Sequence, residues 1–141
     1  MNSEELAWKI AKYAFKDKVD LSGNPYIEHL KSVVNGVSNE NSDYRITAIL
    51  HDLLEDCESW NEDILTCFFF EEIVDAVVSL TKIKGERYED YLLRVKSNHI
   101  ARKVKISDLI DNMDIKRLNE IKDKDIIRLK KYHKAYNYLI T

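Results

Sequence analysis

The sequence predicts an all-α fold, a single-domain helical bundle over residues 1–141. Three observations carry this. The chain holds only three Gly and one Pro, too few breakers for the many tight turns of a β sandwich. Apolar residues recur at helical rather than alternating spacing along most of its length. No Pro-, Gly- or Ser-rich linker divides it, and 141 residues with 45% hydrophobic side chains suffice for one core.

Residues 4–16 form a first helix. Glu4 and Glu5 sit in its first turn, where the helix dipole favours acids, and Leu6, Ile10 and Tyr13 or Ala14 make its apolar face. Residues 20–25 read as a loop around Gly23 and Pro25. A second helix starts near Tyr26, with Leu30, Val33, Val34 and Val37 at helical spacing. After a polar connection at 39–43, a third helix covers 44–55 and a short fourth covers 61–69. Residues 71–81 form a fifth, with Ile73, Val74, Val77 and Val78 inward. Their β-branched content is strand-like, but length and period favour a helix. Gly85 breaks the chain, and Tyr88, Tyr91, Leu92 and Val95 mark a sixth helix. A seventh runs over 100–117 and an eighth over 123–140.

A net charge of −3 gives no general affinity for nucleic acid. The longest apolar stretch, Leu65 to Phe70, is too short to span a bilayer. No apolar run precedes Glu4, so no signal peptide is expected. Cys57 and Cys67 lack the spacing of a thiolate metal site, so free thiols in a reducing cytoplasm are expected. From Asn39 to Asp75 there are eleven acids and one base, Arg45; from His99 to Lys134 there are eleven bases and six acids. This reads either as a cation-holding pole beside a phosphate-attracting pole or as ordinary solvated helix faces. The composition is compatible with a homo-oligomer and does not demand one.

Candidate chemistry concentrates in Ile49-Leu50-His51-Asp52-Leu53-Leu54-Glu55-Asp56. On an unbroken helix His51 lies over Glu55 and Asp52 over Asp56, opposite an apolar stripe of Ile49, Leu50, Leu53 and Leu54. One face then presents an imidazole and three carboxylates. Acids at that density repel unless a cation lies among them, which points to a metal-dependent enzyme. An adjacent His-Asp by itself is more often a solvated acidic face. Its weight rises with His29, in Pro25-Tyr26-Ile27-Glu28-His29, and with Asp108 and Asn112, four apart in Lys105-Ile106-Ser107-Asp108-Leu109-Ile110-Asp111-Asn112-Met113.

The order His, His-Asp, distant Asp, on three separate helices, resembles the HD-domain superfamily of metal-dependent phosphohydrolases. It most resembles the hydrolase domain of the RelA/SpoT family, which removes pyrophosphate from guanosine tetra- and pentaphosphate. The likeness spans about Trp8 to Leu118 and includes Gly23 to His29, His51 to Asp56, Leu80-Thr81-Lys82 and Lys105 to Met113. It implies an HD-domain helical bundle with a divalent cation held by His29, His51, Asp52 and Asp108. Two His and two carboxylates with open positions suit six-coordinate Mn²⁺ better than closed tetrahedral zinc. The resemblance also implies Glu55 and Asp56 as the general base and water-positioning pair. It places Asn112, Ser22 and Lys82 at the substrate, a phosphorylated nucleotide, and Lys18 is expected to join them by its nearness to the loop. Taken alone, Glu55 and Lys82 read as solvated surface groups.

One departure bears on specificity. The RelA/SpoT hydrolases carry Arg-Lys just before the Ser-Gly of the loop, where this chain has Asp20-Leu21 before Ser22. Asp for Arg reverses a charge and removes a flat, forked donor, so an Asp20→Arg exchange is expected to raise activity on guanosine tetraphosphate. Lys16 and Lys18 lie close enough to compensate, and Leu30 replaces the family's Pro after the first His. No synthetase domain follows, so a bifunctional enzyme is not expected. Cleavage of a 3′-pyrophosphate is the leading expectation. The rivals are another nucleotide phosphatase or phosphodiesterase, a nucleotide-binding regulator without turnover, and a purely structural module. His99 is expected to be exposed. His133 is expected to pack with Ile126, Leu129, Tyr136 and Ile140.

Overall fold

Asparagines start four of the helices. Asn2, Asn41, Asn61 and Asn98 each accept a hydrogen bond from a backbone N–H in the turn that follows, satisfying a donor the helix leaves unpaired. They precede α1 (Ser3–Ala14), α3 (Ser42–Leu50), α5 (Glu62–Thr66) and α8 (His99–Asn112). In the computed structural model, which describes residues 1–141, the other helices are α2 (Tyr26–Gly36), α4 (Leu53–Asp56), α6 (Glu71–Ser79), α7 (Tyr88–Lys96) and α9 (Asp123–Ile140). A 3₁₀ turn, Ile115–Arg117, joins α8 to α9. Strand pairing is limited to a single bridge, Val19 to Pro25, which closes the loop before α2.

The helical class agrees with expectation; several helix ends fall short of it, and two of the differences bear on the site. The expected third helix divides: α3 ends at Leu50, Asp52 takes φ −101° and ψ 0°, and α4 begins afresh. His51 and Asp52 therefore occupy the corner between two helices instead of lying over Glu55 and Asp56 on one face. The Asp56 N–H still reaches the Asp52 carbonyl at 3.0 Å. The expected seventh helix stops at Asn112, and only the 3₁₀ turn follows.

Ile46, Thr47, Ala48, Ile49 and Leu50 are all buried, so α3 is enclosed on every side. It packs against α1, α2, α6 and α8. Phe15, Leu30, Ile49, Leu50 and Leu53 belong to one apolar cluster, and Val33, Val104, Leu109, Ala135 and Leu139 to a second. Between them α2 meets α8 closely at Gly36. A Cβ there would lie 2.0 Å from Ser107 Oγ, and the Ser107 hydroxyl donates to the Val33 carbonyl at 2.8 Å. This approach brings His29 of α2 beside Asp108 of α8.

The α6–α7 connection is clasped by Arg94. Its guanidinium donates to both carboxylate oxygens of Glu86 at 2.8 Å and to the Thr81 carbonyl at 3.0 Å. On α9 the inward stripe runs through Asp125, Tyr132, Ala135, Tyr136 and Leu139. Ile126 and Ile140 remain exposed, and so does His133, against expectation, because the buried face is rotated from the one those residues mark. His99 is exposed, as expected.

Candidate metal centre

His29 comes from the first turn of α2, His51 from the end of α3 and Asp108 from α8. All three are buried, and their potential ligand atoms lie within 4.8 Å of one another. Asp52 adjoins them, with Oδ2 3.3 Å from His51 Nε2. His51 donates its Nδ1 proton to the Ala48 carbonyl at 2.7 Å. With that proton on Nδ1, the neutral ring carries its lone pair on Nε2. That nitrogen is buried without a hydrogen-bond partner, and it faces carboxylate oxygens of Asp52 and Asp108 at 3.3 and 3.4 Å. A lone pair aimed at two carboxylates is repulsive unless a cation lies between them. The donor set, two imidazole nitrogens with carboxylate oxygens, fits a divalent transition metal.

The electrostatics are lopsided. Burial alone would lower the His29 pKa, but hydrogen bonds with Asp108 and Asp111 outweigh it and raise it to about 9. Burial raises Asp52 well above the usual carboxylate range, helped by Asp108 and Asp56, although 23% of its side chain still meets solvent. Burial also opposes ionisation of Asp108, yet Lys105 and the hydrogen bond with His29 hold it well below that range. Lys105 Nζ lies 3.0 Å from Asp108 Oδ2.

A cleft of about 440 Å³ opens over the centre. Lys18, Ser22, Glu55, Asp56 and Asn112 line it. Glu55 Oε1 accepts the Lys82 backbone N–H at 3.0 Å, Asp56 pairs with Lys18 at 2.5 Å, and Asn112 donates to Asp108 Oδ1 at 3.1 Å. Lys82 contributes that N–H, but its exposed ammonium is not part of the cleft wall. Asp20 turns out to organise the loop. Its Oδ1 accepts the N–H groups of Ser22 and Asn24 at 2.8 and 3.0 Å, closing a turn in which Gly23 takes φ +84°. Its Oδ2 lies 3.7 Å from Arg117. A lone Asp20→Arg exchange would break this turn and set two guanidinium groups together, which opposes the expected gain in activity.

Residues 7–113 match the HD domain family. The chain belongs to that family. Two curated relatives carry the name guanosine-3′,5′-bis(diphosphate) 3′-pyrophosphohydrolase. The one from Aquifex aeolicus (strain VF5) is 29% identical over 123 residues, and the one from Vibrio cholerae is 28% identical over 119. They align with 79% and 76% of this chain, which spans only 18% and 17% of their own length. Among solved structures, a metazoan ortholog of SpoT, described as hydrolysing ppGpp and acting in starvation responses, superposes with a TM-score of 0.80. That match covers 99% of this chain and 85% of the other at 16% identity, and it establishes the shared all-α fold. No helix of this HD domain is long and apolar enough to cross a membrane.

Four charged residues around this HD centre escaped the sequence reading. Lys105 precedes Asp108 by three residues and Asp111 follows it by three, so helical periodicity alone places both beside it. Arg117 and Arg128 line the cleft from beyond α8. Their one signal was the excess of bases in residues 99–134.

Proposed function

We propose that this HD domain is a metal-dependent phosphohydrolase that cleaves the 3′-pyrophosphate of guanosine tetraphosphate-like nucleotides, working in a reducing cytoplasm that suits its free thiols. The observation that carries the reading is the buried, partnerless Nε2 of His51 facing Asp52 and Asp108. His29, His51, Asp52 and Asp108 would hold the cation, and Mn²⁺ suits their mixed donor set. Such an ion, when bound, acidifies water and neutralises charge on the phosphate.

The rest of the work falls to the chain's own residues. The Glu55–Asp56 pair orients water and takes its proton as it adds to phosphorus. The bond from phosphorus to the sugar 3′ oxygen breaks, that oxygen takes up the proton withdrawn from water and departs as the nucleotide's 3′ hydroxyl, and the water oxygen leaves in pyrophosphate. Glu55 is pre-set for this by the Lys82 N–H and Asp56 by Lys18. Arg117 and Arg128 stand in the cleft wall, each already paired with a carboxylate of this chain, while Asn112 and Ser22 reach sugar or base.

A second reading, hydrolysis of a different phosphorylated nucleotide on the same centre, is favoured by Asp20, whose carboxylate is occupied where the RelA/SpoT hydrolases offer a guanidinium. A nucleotide panel with Mn²⁺, scored for phosphate and pyrophosphate release, tests both. Release of pyrophosphate from guanosine tetraphosphate, lost in His51→Ala, is the expected result. Release only from other nucleotides selects the second reading, and no release from any nucleotide refutes both.

A further inference from the structure

His29 is gripped on both edges by one helix. Asp108 of α8 lies 2.9 Å from its Nε2, and Asp111, one turn on, lies 2.6 Å from its Nδ1. The Asp111 oxygen at Nδ1 is also 3.2 Å from Arg117 Nη2, which donates to the Asp111 backbone carbonyl at 2.7 Å. The other arm of that guanidinium, Nη1, lies 3.7 Å from Asp20 Oδ2. Asp20 in turn closes the loop through the N–H groups of Ser22 and Asn24. A continuous polar chain therefore runs from the cleft loop to an imidazole of the centre.

We propose that Asp111 is a positioning residue of the metal centre and that Arg117 braces it, coupling the conformation of the loop to metal affinity. The inference rests on the reading of His29 as a ligand. A neutral imidazole carries one proton. A carboxylate accepting at Nδ1 keeps the proton there, leaves the Nε2 lone pair for the ion and fixes the plane of the ring. Arg117 restrains that carboxylate because the 3₁₀ turn after α8 folds it back onto Asp111. Since the same guanidinium touches Asp20, tightening at His29 is felt at the loop, and the reverse.

The test is a Mn²⁺ titration of the full chain without nucleotide, by calorimetry, on the wild type, Asp111→Leu, Asp111→Asn and Arg117→Gln. Asp111→Leu is expected to raise Kd about 10- to 100-fold. Asp111→Asn, which keeps an acceptor oxygen, should recover most of that loss. In the wild type, Mn²⁺ should slow hydrogen exchange at the Ser22 and Asn24 amides, and Arg117→Gln should abolish the slowing. A folded Asp111→Leu protein with Kd within twofold of wild type overturns the proposal. Should that variant not fold, ¹⁵N spectra of the Zn²⁺-loaded wild type decide: a proton on His29 Nδ1 supports it and a proton on Nε2 overturns it. A wild-type chain that takes up no metal overturns both this inference and the reading beneath it, whereas unchanged affinity in Asp111→Leu overturns this inference alone.

Discussion

Gly36→Ala tests whether the close contact of α2 with α8 builds the centre. The new Cβ would lie 2.0 Å from Ser107 Oγ and 2.9 Å from Ser107 Cβ. Neither atom yields easily, because Ser107 is buried and its hydroxyl is bonded to the Val33 carbonyl at 2.8 Å. Three effects compete. Alanine in a helix gains about 1 kcal/mol over glycine. Overpacking a tight contact costs about 1–3 kcal/mol. Losing the buried Ser107 hydrogen bond costs about 1 kcal/mol more. The net expectation is a destabilisation of about 1–3 kcal/mol, a fall of about 1 M in the urea midpoint at a slope of about 2 kcal/mol/M. His29 and Asp108 ride on these two helices, so Kd for Mn²⁺ should rise as well. Adding Ser107→Gly removes both clashing atoms, and a double-mutant cycle should show favourable coupling. A Gly36→Ala protein with an unchanged or higher midpoint would refute the packing argument.

Asp56→Ala should keep Mn²⁺ affinity and lower kcat by about 10²- to 10⁴-fold; undiminished turnover would remove the Glu55–Asp56 assignment. Asp20→Arg should raise KM for guanosine tetraphosphate, because it strips the acceptor from the Ser22 and Asn24 N–H groups and places a cation beside Arg117. A rise in kcat/KM would restore the charge-reversal argument. Glu86 is held at about 2 by hydrogen bonds from Arg94, against a usual value of 4.5. Its folded pKa is depressed, so its contribution is present above pH 4.5 and fades as pH falls toward 2. Glu86→Gln should flatten that limb of urea midpoint against pH, and an acid limb unchanged in the variant would count against the clasp.

The helices were legible where an apolar face repeats against a single neighbouring layer. α2 and α6 begin where the pattern of Leu30, Val33 and Val37 and that of Ile73, Val74 and Val77 placed them. The break at His51 was not legible, since Ile49 to Asp56 has unbroken helical spacing and neither Gly nor Pro marks the corner. What bends the chain is tertiary: α3 is buried all round, and the chain turns at Asp52, in the sparsely allowed bridge region, before α4 begins. His133 misled for a related reason. Isoleucines 126 and 140 mark an apolar stripe, but α9 buries Ala135 and Leu139, with Tyr132 and Tyr136 half-buried beside them, on a face rotated from that stripe. His29, His51 and Asp108 were legible because their residue types and order are unusual together. Asp111 was overlooked because its partner, Nδ1 of His29, is 82 residues away in sequence.

The charges at the centre explain why it is arranged for a cation more than for a buried salt bridge. Asp52 and Asp108 both face His51 Nε2, yet one carboxyl is pushed up and the other held down. Lys105 makes the difference. Three residues before Asp108 on α8, it fixes a positive charge at Oδ2 of that carboxylate and leaves Oδ1 to the histidines. Asp52 has no fixed cation within salt-bridge distance, so only a mobile charge can neutralise it. His29 lies between two carboxylates, Asp108 at Nε2 and Asp111 at Nδ1, and they raise its pKa to about 9 against the opposing effect of burial. Any proton held at Asp52 or at His29 Nε2 would compete with a divalent ion for the same atoms, and binding of the ion would release it. The fold thus supplies Asp108 with a fixed cation, Lys105, and leaves Asp52 to an exchangeable one. A purely structural ion-pair network gains nothing from that division.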